Sequence, residues 1–329
     1  MTKIGYHASH EQFSPSELLR FAKMAEESGF RAAMSSDHLN PWSREQGHSG
    51  HCWSWLGAAL QATHSIPFGS LSIPGGWRFH PVVVAHAAAT LAQMSPNRFQ
   101  WIALGSGEAL NETVVSPVWP DKKERNERIK EAADIIRALW RGETVTSKEG
   151  YHYTDEAKIW SLPETPPQIF GAALTTQTAH WMGSWADGLV TVNKSVDVLK
   201  QVMQAFNEGG GADKPKYVQV HISWADTMDI ARQNAFEQWR VNTLAPEKCA
   251  NFRKVADFEN ATNDMKPSDM DEHLLISEKA EVYIDYLQRL SDLGFDGIFV
   301  HNVGRNQAEY IEFFGKNVLP KLAGTAIDR

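Results

Sequence analysis

The sequence predicts a single α/β domain, a (β/α)8 TIM barrel with insertions. Three observations carry this. Strand-like and helix-like segments alternate through all 329 residues, and they sum to eight β/α units. No linker rich in Pro, Gly and Ser interrupts them, and the run Gly209-Gly210-Gly211 reads as loop punctuation. A doubly wound sheet is the alternative architecture, and it usually carries fewer units. The expected domain is 1–329, with insertions at about 141–165 and 242–275.

The elements follow in order. A strand over 3–8 leads to a helix opened by Ser14-Pro15-Ser16-Glu17, with Ser14 as N-cap, Pro at the first helical position and Glu17 at the third. That helix carries Leu18, Leu19, Phe21, Ala22 and Ala25 on one side and stops at Gly29. A strand at 32–36 precedes a helix at 53–63, a strand at 68–73 and a helix at 82–94. A strand at 99–104 ends in Gly105-Ser106-Gly107-Glu108, and a helix at 125–140 shows an apolar stripe from Ile129 to Trp140. Residues 141–165 read as a hairpin. Strands at 167–173, 188–192 and 217–224 alternate with helices at 176–185, 196–206 and 228–239. A helix at 278–293, a strand at 297–301 and a helix at 307–322 complete the series.

Composition narrows the function. The formal net charge is −8 with no basic run, which disfavours nucleic acid as a partner. The longest nearly apolar stretch, 81–94, contains His86 and is too short to span a bilayer. The chain opens directly in a strand pattern without an apolar signal core, and Cys52 and Cys249 suggest no disulfide framework. A cytoplasmic enzyme acting on a small molecule, away from membranes, is therefore expected.

In such a barrel the chemistry sits at the C-terminal ends of the strands. Polar residues collect there: Glu11 after the first strand, Asp37, His38 and Trp42 after the second, Ser106, Glu108 and Asn111 after the fourth, and Lys194 after the sixth. A His beside an acid can be a tuned general base, although a capped turn would use the same residues. The glycines around Ser106 permit close approach of a ligand. A dinucleotide fingerprint fails because Leu110 stands where a third Gly is required, and no Gly-x-Ser-x-Gly elbow surrounds Ser106. Gly171-Ala172-Ala173-Leu174-Thr175-Thr176 suits either a phosphate on a helix N-terminus or ordinary capping. His48, His51 and Cys52 lack a second ligand cluster, so no metal is expected.

Three runs then carry a resemblance: 4–13, 36–42 and 105–112. Together they resemble the luciferase-like monooxygenase superfamily, in the branch around the deazaflavin-dependent glucose-6-phosphate dehydrogenases. The resemblance implies a homodimeric barrel with a flavin or deazaflavin ring in its mouth and hydride transfer there. It implies that His38 is general base or acid on the substrate oxygen, with Glu108 as its partner and Trp42 and Glu11 at the reacting carbon. Asp37 would meet the ring, and Leu71-Ser72 matches the position of a non-proline cis peptide in this superfamily. Ser106, Gly107, Asn111 and the stretch Gly171, Ala172, Ala173, Leu174, Thr175, Thr176 would line the cofactor and its phosphate. Lys194 and Lys254 match two substrate-phosphate lysines, but Glu272 falls where an Arg is expected, and its charge would repel a phosphate. The runs 46–50 and 104–111 resemble a sister group that uses ordinary flavin, which makes FMN the first expectation and coenzyme F-420 the alternative. A flavin-dependent oxidoreductase or monooxygenase is the leading function. A deazaflavin-dependent sugar-phosphate or alcohol dehydrogenase is the second, and a non-catalytic flavin-binding barrel the third.

Overall fold

The computed structural model describes residues 2–322. Met1 and 323–329, the ends of the expected domain, lie outside the described residues. Eight parallel strands form the barrel: β1 (Lys3–Ala8), β2 (Ala32–Ser35), β3 (Phe68–Ser72), β4 (Phe99–Leu104), β5 (Gln168–Ala172), β6 (Gly188–Val192), β7 (Lys216–Trp224) and β8 (Gly297–Asn302). β1 pairs with both β2 and β8, and β7 pairs with both β8 and β6, so the sheet closes on itself. The doubly wound alternative is thereby excluded.

Helices α1 (Pro15–Glu27), α2 (Cys52–Ala62), α3 (Pro81–Met94), α4 (Lys122–Trp140), α5 (Thr176–Gly183), α6 (Val196–Phe206), α7 (Met228–Trp239), α8 (Ala280–Asp292) and α9 (Gln307–Asn317) surround the strands. The α1 start is the expected capping box: Ser14 Oγ accepts from the Glu17 N–H, and the Glu17 carboxylate accepts from the Ser14 N–H. α4 begins a turn earlier than the apolar stripe shows, because Asp121 caps it through the Glu124 N–H at 2.9 Å. α9 stops before the expected 322. Pro320 cannot continue an α-helix, and the chain finishes in a 3-10 turn, Leu319–Lys321. Residues 145–147 and 154–157 form the antiparallel hairpin. The second insertion holds short helices Pro246–Asn251 and Val255–Ala261, a 3-10 segment Pro267–Glu272, and a three-residue strand Leu275–Ser277 that pairs with β7. No described helix is long and apolar enough to cross a membrane.

The barrel lumen is filled by Ala32, Met34, Trp101, Ala103, Phe170, Val190 and Phe299. Trp101 touches Phe170, Tyr217 and Phe299 with ring centroids 5.4–5.6 Å apart. Toward the strand ends this apolar fill gives way to polar residues. Along β7 the inward face runs Tyr217, Gln219, His221, and along β8 it runs Phe299, His301. His7 on β1 completes a histidine layer, with the His7 and His301 rings 4.6 Å apart. Burial pushes His7 down to about 4 and His221 to about 3, so this layer is polar but uncharged at neutral pH.

Candidate active site

The loops after β1, β2 and β4 bring Glu11, His38 and Glu108 together. His38 Nε2 lies 3.5 Å from Glu11 Oε1 and 3.4 Å from Glu108 Oε2. The Trp42 ring packs against the His38 ring at 4.9 Å. Trp42 is itself fixed: its backbone N–H donates to Gln46 Oε1 at 2.8 Å, and Gln46 Nε2 donates to the Gln238 carbonyl at 2.8 Å. These four side chains come from three separate segments, and only the closed barrel places them side by side.

The two carboxylates differ in environment. Glu11 is buried, and its Oε2 accepts from Ser9 Oγ and Ser36 Oγ, both at 2.8 Å. Burial alone would raise its pKa. Against this stand the charge of His38 when it is protonated, a backbone N–H and the Ser36 hydroxyl, and the balance lies below the ordinary value. Glu108 shifts the other way. Desolvation lifts it, His38 opposes, and the negative charge of Glu11 adds to the lift. About a third of the Glu108 side chain (34%) remains open, so an incoming molecule reaches it, whereas the Glu11 side chain is only 6% exposed. One carboxylate is a fixed anion and the other is a raised, accessible acid–base group, a division of labour suited to proton transfer.

Asn111, expected among the cofactor-lining residues, bonds the histidine. Its Nδ2 is 2.8 Å from His38 Nδ1, and its Oδ1 accepts from the Leu39 and Asn40 N–H groups at 2.9 Å each. It lies in a one-turn helix, Ala109–Glu112, that follows β4.

The acid next to His38 in sequence is not its partner. Asp37 points away from it and pairs with Arg78, whose Nη1 is 3.2 Å from Asp37 Oδ1 and whose Nε is 3.2 Å from Glu112 Oε1. Arg78 Nη2 also donates to the Asp37 carbonyl at 3.1 Å. Neither Arg78 nor Glu112 is marked by the sequence reading. Arg78 sits in a loop of ordinary composition, and only the carboxylates buried around it give it a role.

A flat polar ring suits the ends of β2 and β3. Asp37 Oδ2 and Ser72 Oγ are buried there without a hydrogen-bond partner among the described residues, and unpaired buried polar atoms of this kind are costly unless a ligand meets them. Leu71 lies beside Ser72, on the edge of the lumen cluster. The Leu71–Ser72 peptide is trans, in contrast to the cis bond that the resemblance implies. The β3–β4 ladder runs regularly through Leu71↔Ala103 and Ser72↔Leu104, and trans is the ground state of a non-proline peptide. Ser106 and Gly107 are half-buried after β4, and Gly107 has φ +77°, where a side chain would also meet Ile73 and Trp119.

The stretch after β5 divides. Gly171 is explained by packing, since a Cβ there would collide with Met182 of α5. Ala172 is half-buried and Ala173 buried, whereas Leu174, Thr175 and Thr176 are exposed. Thr175 is the N-cap of α5, accepting from the Thr178 N–H at 3.3 Å. Lys122 Nζ reaches Thr178 Oγ1 at 3.1 Å and adds a cation to this helix N-terminus that the sequence reading does not include.

The lysines fare differently from expectation. Lys194 is half-buried after β6 and forms no ion pair with a described residue. Lys254 is exposed and occupies the N-cap of the helix Val255–Ala261, its backbone N–H donating to Asp257. The second insertion instead brings apolar side chains to the site: Trp42 and Leu110 form one cluster with Val241, Leu244, Cys249, Phe252, Val255 and Phe258. Burial, with Glu108 second, pushes the Cys249 thiol up to about 11, so it is an unreactive wall residue. Among the described residues no group of three or more His, Cys, Asp or Glu is arranged to hold a metal ion.

Known proteins match this architecture along nearly its whole length. The profile of the luciferase-like monooxygenase family matches residues 1–300. A protein of Nakamurella multipartita named F420-dependent glucose-6-phosphate dehydrogenase is 31% identical over 327 residues, 97% of this chain and 96% of its own. A protein of the same name from Microbacterium testaceum is 31% identical over 97% of each chain. Among solved structures, an F420-dependent secondary alcohol dehydrogenase in complex with an F420–acetone adduct superposes with a TM-score of 0.88 at 26% identity, over 97% of this chain and 98% of that one. The coenzyme F420 dependent tetrahydromethanopterin reductase of Methanopyrus kandleri, at 19% identity and a TM-score of 0.75 over 97% and 99%, shares the fold. The chain is an oxidoreductase that belongs to the luciferase-like monooxygenase family.

Proposed function

We propose that this oxidoreductase removes a hydride from a neutral, largely apolar alcohol and delivers it to a deazaflavin of the F420 type. The observation that carries the substrate class is the apolar cluster packed on Trp42, the ring that lies against His38. It is built of Trp42, Leu110, Val241, Leu244, Phe252 and Phe258, with the uncharged histidine layer in the barrel mouth. A phosphate needs clustered cations. Here Lys254 sits exposed at the N-cap of a surface helix, Lys194 forms no ion pair with a described residue, and Glu272 is exposed at the end of a 3-10 segment, so no cluster of cations forms.

The cofactor assignment reverses the first expectation. By sequence, FMN is expected ahead of coenzyme F420. The relatives at about 30% identity and the solved structure at 26% carry F420 in their names, which favours the deazaflavin. Asp37, Leu71, Ser72, Ser106 and Gly107 would hold its ring, and Thr175, Thr176 and Lys122 its anionic tail. Bound there, the deazaflavin supplies a carbon that accepts two electrons as a hydride. The chain's own groups handle the proton. His38 and Glu108 reach the substrate oxygen, Glu11 fixes the field around His38, and Trp42 orients the substrate and excludes water.

A sugar phosphate is the second reading, favoured by the names of the 31% relatives and by the half-buried Lys194. Steady-state turnover with F420 separates the two. The proposal expects KM to fall along a series of secondary alcohols of growing apolar size, with little turnover of glucose 6-phosphate. Efficient oxidation of glucose 6-phosphate alone would overturn the apolar-alcohol assignment.

A further inference from the structure

We infer that Asn111 locks His38 as the neutral tautomer with its single proton on Nε2, so that His38 donates a hydrogen bond to the substrate oxygen and Glu108 takes the proton. The orientation of the Asn111 amide is fixed from three sides. Its Oδ1 accepts from two backbone N–H groups, those of Leu39 and Asn40, each at 2.9 Å. Its Nδ2 lies 3.4 Å from Glu108 Oε2, an acceptor. The remaining Nδ2 contact is His38 Nδ1 at 2.8 Å, so an N–H donor faces that ring nitrogen. A ring nitrogen facing a donor holds a lone pair, and in a neutral imidazole the proton is then on the other nitrogen.

The alternatives are costly. An Nδ1–H or an imidazolium would set N–H against N–H at 2.8 Å. Flipping the amide to relieve that would turn Nδ2 toward the Leu39 and Asn40 N–H groups and leave both without an acceptor. Both N–H groups are part-buried, and losing a hydrogen bond of this kind costs roughly 0.5–1.5 kcal/mol each. Asn111 itself is buried, so its amide has no other partner to turn to.

The consequence falls on Nε2, the atom 3.5 Å from Glu11 and 3.4 Å from Glu108. It carries hydrogen and has no lone pair, so it cannot accept the hydroxyl proton of an alcohol. The proton must pass to a carboxylate. Glu11 is buried, with a side chain only 6% exposed, and its Oε2 already accepts from Ser9 and Ser36, whereas a third of the Glu108 side chain is open to the substrate. On the proposed function, on which this half of the inference rests, the balance is simple. The alcohol O–H bond breaks and an O–H bond forms on Glu108. The C–H bond breaks and its hydrogen leaves with both electrons as a hydride, which a bound deazaflavin would accept, and C=O forms. The His38 proton stays in place and stabilises the developing negative oxygen. Asn111 is a positioning residue in this scheme, acting through His38.

The test reads the ring directly. Long-range 1H–15N correlation spectra of the purified, 15N-histidine-labelled protein, with His38 assigned by its absence in H38Q, report both ring nitrogens. The expected result is one proton, on Nε2, across the pH range of turnover. An Nδ1–H or doubly protonated His38 overturns the inference. In N111D the new carboxylate accepts from Nδ1, and the proton is expected to move there or a second one to be gained. Alcohol oxidation should then fall tenfold or more, with F420 binding retained. An unchanged His38 spectrum in N111D, or a changed spectrum with an unchanged rate, also overturns it. If N111D does not fold, the spectrum of the native chain decides. A native chain without alcohol oxidation refutes the proposed function and leaves the tautomer result standing.

Discussion

At the residue scale the site turns on two carboxylates pushed in opposite directions. E108Q removes the proton acceptor, and alcohol oxidation should drop by about 10²–10⁴-fold, the usual worth of a positioned general base. F420 binding, measured by fluorescence titration, should persist. Stability should move the other way. The Glu108 pKa is raised in the folded chain, so its contribution is present below the unfolded value, roughly 4.3, and is lost as pH rises through the folded value. E108Q is therefore expected to melt at or above the native temperature at neutral pH, and a large loss of Tm would contradict this electrostatic account. Glu11 has the opposite sign. Its folded pKa is depressed, so its stabilisation is present above roughly 4.3 and is lost as pH falls through the folded value. Acid unfolding curves of the native chain and E11Q should converge at low pH. His38 and Glu108 are visible in sequence because they follow strands, but their pairing is not. The neighbour Asp37 suggests the wrong acid, because successive side chains after a strand point to opposite sides.

At the element scale two local structures hold the site. Arg78 ties the loop after β3 to the end of β2 and to the one-turn helix after β4, through the buried Asp37 and Glu112. R78M leaves two carboxylates without their cation, a loss of roughly 3–5 kcal/mol. The deficit should shrink as pH falls and the carboxylates take up protons, which thermal melts across pH would show. The second structure is the apolar cover from residues 241–258. Phe258 is fully buried against Trp42, with the rings 5.2 Å apart. F258A removes roughly 3–5 kcal/mol of packing, and KM for alcohols should rise more than kcat falls; an unchanged KM would remove this cover from the substrate site. The helices and strands were legible from periodicity and caps, Ser14 and Gly29 above all. The cover was not, because 242–275 shows no sustained period, and its apolar residues gain meaning only through contact with Trp42 and Leu110.

At the scale of the whole molecule, closure of the barrel is what makes the site. Glu11, Asp37, His38 and Glu108 lie along a hundred residues of chain and meet because β1, β2, β3 and β4 are parallel neighbours. Eight alternating units made that closure readable from sequence alone. The choice of cofactor was not readable in this way. The residues that would face a ring, Asp37 and Ser72, suit a flavin and a deazaflavin alike, and the relatives tip the balance. The decisive measurement is an anaerobic single turnover. The purified chain is mixed with oxidised F420 or with FMN, and a secondary alcohol is added while the visible absorbance of the cofactor is followed. The account predicts stoichiometric loss of the oxidised deazaflavin band with F420 and no reduction of FMN. Reduction of FMN by the alcohol, with F420 left oxidised, would contradict it.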